Sequence, residues 1–336
     1  MASQTGHRAS YSKVDLQGLQ VGFYERLRQQ GRSPNTLKNY KTDLECFNDY
    51  LIRLQKSTDI TEFDLPQVKL YGDYLQNRYS SDNSRRRRVQ ALRRFFDFLV
   101  EQEIFSSNPV RKLPISPKFL DEPHPTSFVD IKTLWQYCLE QERAKNDLQM
   151  LTARRNQVLM LLIFGGGLKV SDIAKIKTSA LLKGEKNYRV LVSHPKRDPY
   201  SIPLPEVFTP AYEKYINELE RLKTRHKLSF PELFFNANPY RILSGGLSAR
   251  GLEVVFEELR KKLMIQLTPK SLRQACVFKW LGQGHGDSQI KEWLGVAPSY
   301  DLRGYKNVQD RYAYNEQALK EIYDSFNKRK LSRSGF

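Results

Sequence analysis

The sequence predicts a mainly α-helical chain in two domains, the second carrying a small β-sheet. Three observations lead there. The 336 residues exceed what a single core normally organises. Apolar residues recur at three- and four-residue steps through most segments, the period of a helix with one buried face. Leu113–Thr126 (LPISPKFLDEPHPT) places four prolines in fourteen residues, the composition of a stiff, extended linker. The expected division is a polar, disordered tail at 1–14, a helical domain at 15–113, a linker at 114–126, a second domain at 127–311 and a C-terminal helix and tail at 312–336.

Ser33-Pro34 opens the first clear helix, with Ser33 as cap and Pro34 in the first turn. Leu37, Tyr40, Leu44, Phe47 and Leu51 form its apolar stripe. Leu65-Pro66 opens another, carrying Val68, Tyr71 and Leu75. A third runs from about Ser84 with Val89, Leu92, Phe96 and Leu99 on one face, and Asn108-Pro109 closes the unit.

The second domain begins with helices over Ile131–Gln141, Asn156–Phe164 and Val170–Ile176. YRVLVS (188–193) and YSIPLP (200–205) read as a hairpin around a polar tip that holds Lys196. Further helices follow from Ser248 to Leu263 and from Thr268-Pro269 to Gly282. A short one over Ser288–Leu294 is capped by Asp287 and ended by Gly295. The last spans Asn315–Lys328.

Charge is the informative part of the composition: 55 Lys+Arg against 37 Asp+Glu, a net +18. Residues 1–125 carry 20 basic and 15 acidic side chains, and 126–336 carry 35 and 22, so both halves attract polyanions. No apolar run approaches the roughly 18–20 residues of a membrane span, and the first residues lack a signal peptide's apolar stretch. Cys46, Cys138 and Cys276 are scattered and form no CxxC pair. The five histidines show no HExxH spacing. The reading is a cytoplasmic, nucleoid-associated protein in a reducing compartment, with no metal, disulfide framework, small-molecule cofactor or membrane partner.

Arg85, Arg86, Arg87, Arg88, Arg93 and Arg94 put six arginines in ten residues on a helix whose other face is apolar. So dense a guanidinium row points to duplex DNA phosphates, and Lys38 and Lys41 on the preceding helix join this DNA-binding set. The glycines of GGGLKVSD (165–172) fit neither GxGxxG nor GxxxxGK[ST], and no strand precedes them, which excludes a nucleotide cradle.

Several segments in order resemble the tyrosine recombinase/integrase family. GGGLKVSDI resembles the family's TGLRVSEL, TPKSLRQACVF (268–278) resembles TPHSLRHSF, and WLGVAPSYDLRGY resembles LGH followed by a tyrosine nine residues after its histidine. The first domain is similar to the family's SAM-like core-binding domain, in SPNTLKNYKTDLECFNDYL and RRVQALRRFFDFLVEQEIFSSNP. The resemblance covers roughly residues 15–310. It implies a two-domain recombinase architecture whose reaction is attack by a tyrosine on a DNA phosphodiester, giving a 3′-phosphotyrosyl link.

Carried over position by position, the resemblance makes Tyr305 the nucleophile's counterpart and Arg273 the phosphate-gripping arginine. Lys196 corresponds to the general acid and Asp172 to a supporting carboxylate. Three positions depart from the family: Lys169 stands for an arginine, Lys270 for a histidine and Val296 for a histidine or tryptophan donor. Lysine keeps the charge but loses the bidentate fork, and valine donates nothing. The expected function is a DNA-binding protein that has lost efficient strand cleavage. Two alternatives remain open. One is an active recombinase with a lysine-rich site, in which His194 or His285 supplies a donor. The other is an interaction protein that regulates a partner recombinase through its tail. Ala318, Ile322 and Phe326 recur every four residues, an apolar stripe that needs a groove. The resemblance implies docking on a neighbouring protomer on DNA, and docking on its own domain is the alternative.

Overall fold

A computed structural model describes residues 16–56, 58–61, 63–112, 122–194, 197–237, 243–312, 320, 321, 323 and 324. The chain divides after residue 120 into two compact units.

The N-terminal unit consists of α1 (Leu16–Gln29), α2 (Pro34–Tyr50), α3 (Leu65–Arg78) and α4 (Asp82–Glu101). Local chemistry sets their starts. The Ser33 hydroxyl accepts from the Thr36 amide at 3.2 Å with Pro34 beside it, and the Asp64 carboxylate accepts from Gln67 at 3.1 Å. Ser81 caps α4, which therefore begins at Asp82, slightly ahead of the expected Ser84. The core is aromatic: Phe47 meets Phe63 at 5.0 Å and Tyr71 at 5.4 Å, both edge-on. Leu92, Phe96 and Leu99 of α4 are buried against it, as their spacing predicts.

The C-terminal unit opens with α5 (Phe128–Gln141) and α6 (Asp147–Met160), the latter continued by a π-helical turn over Leu161–Gly165. Then come the short α7 (Val170–Ile173), the antiparallel sheet β1 (Leu181–Lys183), β2 (Tyr188–His194) and β3 (Arg197–Pro203), and α8 (Phe208–Arg225). Val190 faces Ile202 across β2 and β3. A two-stranded ribbon, β4 (Phe235–Ala237) with β5 (Leu243–Gly245), precedes α9 (Ala249–Leu263), α10 (Pro269–Gly282), α11 (Asp287–Leu294) and α12 (Arg303–Lys306).

Further features differ from the sequence expectation. The helix expected from Asn156 begins at Asp147, where Asn146 caps it; buried Arg155 and Gln157 had hidden its periodicity. No expectation covered α8, whose buried stripe runs from Phe208 through Tyr212 and Tyr215 to Leu222. The cap of α11 is Gly286, and Asp287 is its first helical residue. The helix expected at Val170–Ile176 ends at Ile173. The helix expected over Asn315–Lys328, with its stripe residues Ala318, Ile322 and Phe326, lies mostly outside the described residues. Among the described residues no helix is long and apolar enough to cross a membrane, and no His/Cys/Asp/Glu group could hold a metal.

Candidate active site

The run Val158–Phe164 is wholly buried, and three glycines carry the chain out of it. Gly167 has φ +65°, and a Cβ there would come within 2.5 Å of the Trp280 ring on α10. Both backbone conformation and close approach therefore require glycine. Lys279, also on α10, is 3% exposed. Its Nζ donates to the Phe164 and Gly165 carbonyls at 3.0 and 2.8 Å and lies over the Phe164 and Trp280 rings. The helix end thus receives a buried cation, which complements its dipole. Sequence reasoning missed Lys279; the signal was a single lysine inside the apolar run ACVFKWL.

Helix α10 holds the same turn from a second point. Arg273 donates through Nε to the Gly167 carbonyl at 2.6 Å and through Nη2 to the Leu294 carbonyl at 2.9 Å. These bonds join the glycine turn, α10 and the end of α11 around one guanidinium. Burial pushes the Arg273 pKa down, while Tyr305, Cys276, Asp172 and Tyr300 oppose that shift. Cys276 stays a thiol, since burial raises its pKa to about 11.

Tyr305 sits on α12, half-buried, with its ring 5.4 Å from Phe278. Burial raises its phenol pKa, Tyr300 adds to the rise and Arg273 opposes it. A phenol in this setting resists deprotonation. Tyr300 was not foreseen from the sequence.

The departing positions lie on the segments that Arg273 joins. Lys169 caps α7, half-buried, and its carbonyl accepts from the Asp172 amide at 3.0 Å. Lys270 lies exposed in the first turn of α10, whose start is fixed by a capping box between Thr268 and Ser271. Val296 follows Gly295, which ends α11 in the left-handed region (φ 57°), and it packs against the core. Lys196 lies outside the described residues, as does the side chain of His194. His285 bonds Gln289 at 2.9 Å and sets its ring edge-on to Trp293 at 4.8 Å. The structure therefore brings Tyr305 and Asp172 each within electrostatic reach of Arg273, with Lys169 on the turn beside Asp172.

In the N-terminal unit the six arginines do not form the single solvent-facing row that their spacing suggests. Arg88 is 9% exposed, with its guanidinium stacked 3.7 Å over Tyr79 and bonded to the Ser84 carbonyl. Arg87 pairs with buried Asp43 at 2.9 Å, and Arg85 binds Asp82 and the Tyr79 carbonyl. Arg93 donates to the Val110 carbonyl at 3.1 Å. α4 packs within its unit on more than one side, so part of the guanidinium row serves the fold. Arg86 and Arg94 make no hydrogen bond or ion pair among the described residues. Lys38 and Lys41 lie exposed on α2.

Fold and site define an integrase-like protein with two helical units and a half-buried arginine within electrostatic reach of a tyrosine. The profile of the phage integrase N-terminal SAM-like domain matches residues 21–103. The chain is 26% identical over 299 residues to the tyrosine recombinase XerC of Anoxybacillus flavithermus, covering 87% of this chain and 94% of that protein. It is 23% identical over 303 residues to the tyrosine recombinase XerD of Listeria monocytogenes, covering 90% and 95%. Its fold matches a lambda integrase dimer bound to a COC′ core site at a TM-score of 0.62, with 16% identity over 89% of this chain and 79% of that one. XerH bound to palindromic difH substrate, a post-cleavage complex, matches at 0.64 with 13% identity over 94% and 90%. The matched N-terminal domain, the Xer recombinase relatives and the lambda integrase fold support the tyrosine recombinase family for this chain.

Proposed function

We propose that this chain is a DNA-binding protein with the tyrosine recombinase fold that lacks efficient strand cleavage and acts as an architectural or regulatory protein on duplex DNA. The observation that carries this reading is the make-up of one site. Arg273 is anchored with part of its guanidinium still available to a phosphate, yet Lys169, Lys270 and Val296 occupy the segments it joins. In phosphoryl transfer, charge builds on the non-bridging oxygens and must meet preorganised donors. Two lysines bring mobile point charges, and the Val296 side chain brings no donor. Binding needs only the positive charge, whereas cleavage needs the fixed geometry. Tyr305, whose buried phenol resists ionisation, then meets an under-stabilised transition state.

A second reading, an active recombinase with a lysine-rich site, is favoured by the half-buried Lys169 beside Asp172 on the turn that Lys279 and Arg273 hold. Covalent attachment to nicked DNA separates the two. A DNA partner accords with work at the nucleoid in a reducing cytoplasm, where the three free, buried cysteines are at home.

Binding to duplex DNA, with residues 114–126 linking two DNA-gripping domains, is tested by salt dependence. Log affinity should fall linearly with log salt, by about 0.9 per phosphate neutralised. Arg86→Gln with Arg94→Gln should lower both affinity and slope, the slope by roughly 2. Arg88→Gln should leave the slope unchanged and instead destabilise the chain by about 1–3 kcal/mol, because it removes a stacked, hydrogen-bonded cation. A salt-independent affinity contradicts the reading.

We further propose that residues 312–336 join protomers on DNA. In the isolated chain part of this segment contacts its own unit: Glu321 pairs with Lys132 at 3.9 Å, and Tyr323 packs against the core. Removing 312–336 should therefore reduce assembly on DNA more than single-molecule binding. Unchanged stoichiometry in sedimentation would count against this role.

A further inference from the structure

Helices α5, α6 and α9 line a cavity of about 280 Å³ that shares no residue with the candidate active site. Its wall holds Arg155, a cation only 6% exposed. The guanidinium lies over the Phe235 ring, 4.9 Å from its centroid. One edge, Nε and Nη2, donates to the Asn156 amide oxygen at 3.2 and 3.1 Å. Among the described residues no carboxylate lies within 4 Å of it.

A buried cation without a counter-charge is costly. Among the described residues the carboxylate that acts on Arg155 is Glu258, which stands beyond ion-pair distance. Burial holds the Cys138 thiol protonated, with its pKa pushed up to about 12. The Tyr215 phenol, also raised by burial, donates to the Leu233 carbonyl at 2.7 Å. Glu142 is held by Arg154 at 3.2 Å. Glu258 is exposed on α9, and Lys262 follows it one turn later with Nζ 5.0 Å from the Tyr137 ring. The cavity therefore carries two cations against one carboxylate.

The remaining guanidinium edge, Nη1 with the second Nη2 hydrogen, is the fork that a carboxylate accepts in bidentate fashion. The volume suits roughly nine water-sized groups. Val255, Leu259 and the Tyr137 ring add apolar lining to the same cavity. We infer that this cavity is a binding site for a small monocarboxylate, its carboxylate in the Arg155 fork and its apolar portion against Val255, Leu259 and Tyr137.

The test uses the full chain without DNA, titrated with butyrate and with benzoate against sodium chloride at matched ionic strength. Calorimetry and the denaturation midpoint should both show saturable binding to the wild type. Arg155→Lys keeps the charge and loses the fork, so binding should weaken at least tenfold. Val255→Trp fills the cavity from α9 without altering Arg155, and it should abolish binding while leaving the circular dichroism spectrum unchanged. If Arg155→Lys does not fold, Val255→Trp decides alone. No saturable response in the wild type overturns the assignment. So does equal binding by Val255→Trp, or equal stabilisation by chloride.

Discussion

Wild-type protein bound to a nicked suicide substrate should yield little or no covalent protein–DNA adduct. The expected deficit follows from the donors around Arg273. Loss of one preorganised donor typically costs on the order of 10²–10³ in rate. Three altered positions in one site act as a unit, so their effects need not multiply. Lys169→Arg, Lys270→His and Val296→His introduced together should increase adduct formation by at least 10², on the order of one restored donor. Their backbone positions favour the rescue: Lys169 caps α7, Lys270 lies in the first turn of α10, and Val296 follows the Leu294 carbonyl that anchors Arg273 by one turn residue. The contrary result is equally clear. A strong wild-type adduct that Tyr305→Phe abolishes would establish the lysine-rich site as a working one.

Gly167→Ala should destabilise the C-terminal unit by about 3 kcal/mol, read from the denaturant midpoint. Two costs combine at this position. A left-handed residue with a Cβ costs roughly 1–2 kcal/mol, and overpacking against Trp280 adds about 1–3 kcal/mol. Gly284→Ala is the control: its φ is +76°, but nothing lies within 4 Å of the added Cβ, so only the backbone cost should appear. DNA affinity should fall with Gly167→Ala beyond the stability effect, because the Gly167 carbonyl orients Arg273 at 2.6 Å. Equal stability losses at the two glycines would show that the Trp280 contact is relaxed at no cost.

By itself the sequence determined the class of fold and the N-terminal helices α2, α3 and α4. Ser33-Pro34, Leu65-Pro66 and Thr268-Pro269 mark helix starts because capping and proline geometry act within four residues. The α4 stripe was legible because one face of a helix is written at a fixed period. The identities of Lys169, Lys270 and Val296 needed no coordinates either, since the loss of a guanidinium fork is a property of the residue type. Tertiary structure alone decided which charges serve the fold. Arg88 reads as one of a solvated row until its stack on Tyr79 is seen, and Arg155 and Gln157 look like exposed helix residues although both are buried. Lys279 became a clamp on the glycine turn only when α10 packed against the π-helical turn before it. The physical reason is common to all of these. Burial and hydrogen-bond partnership are set by residues distant in the chain, as with Phe164 and Lys279 at a sequence separation of 115, and no local pattern records them.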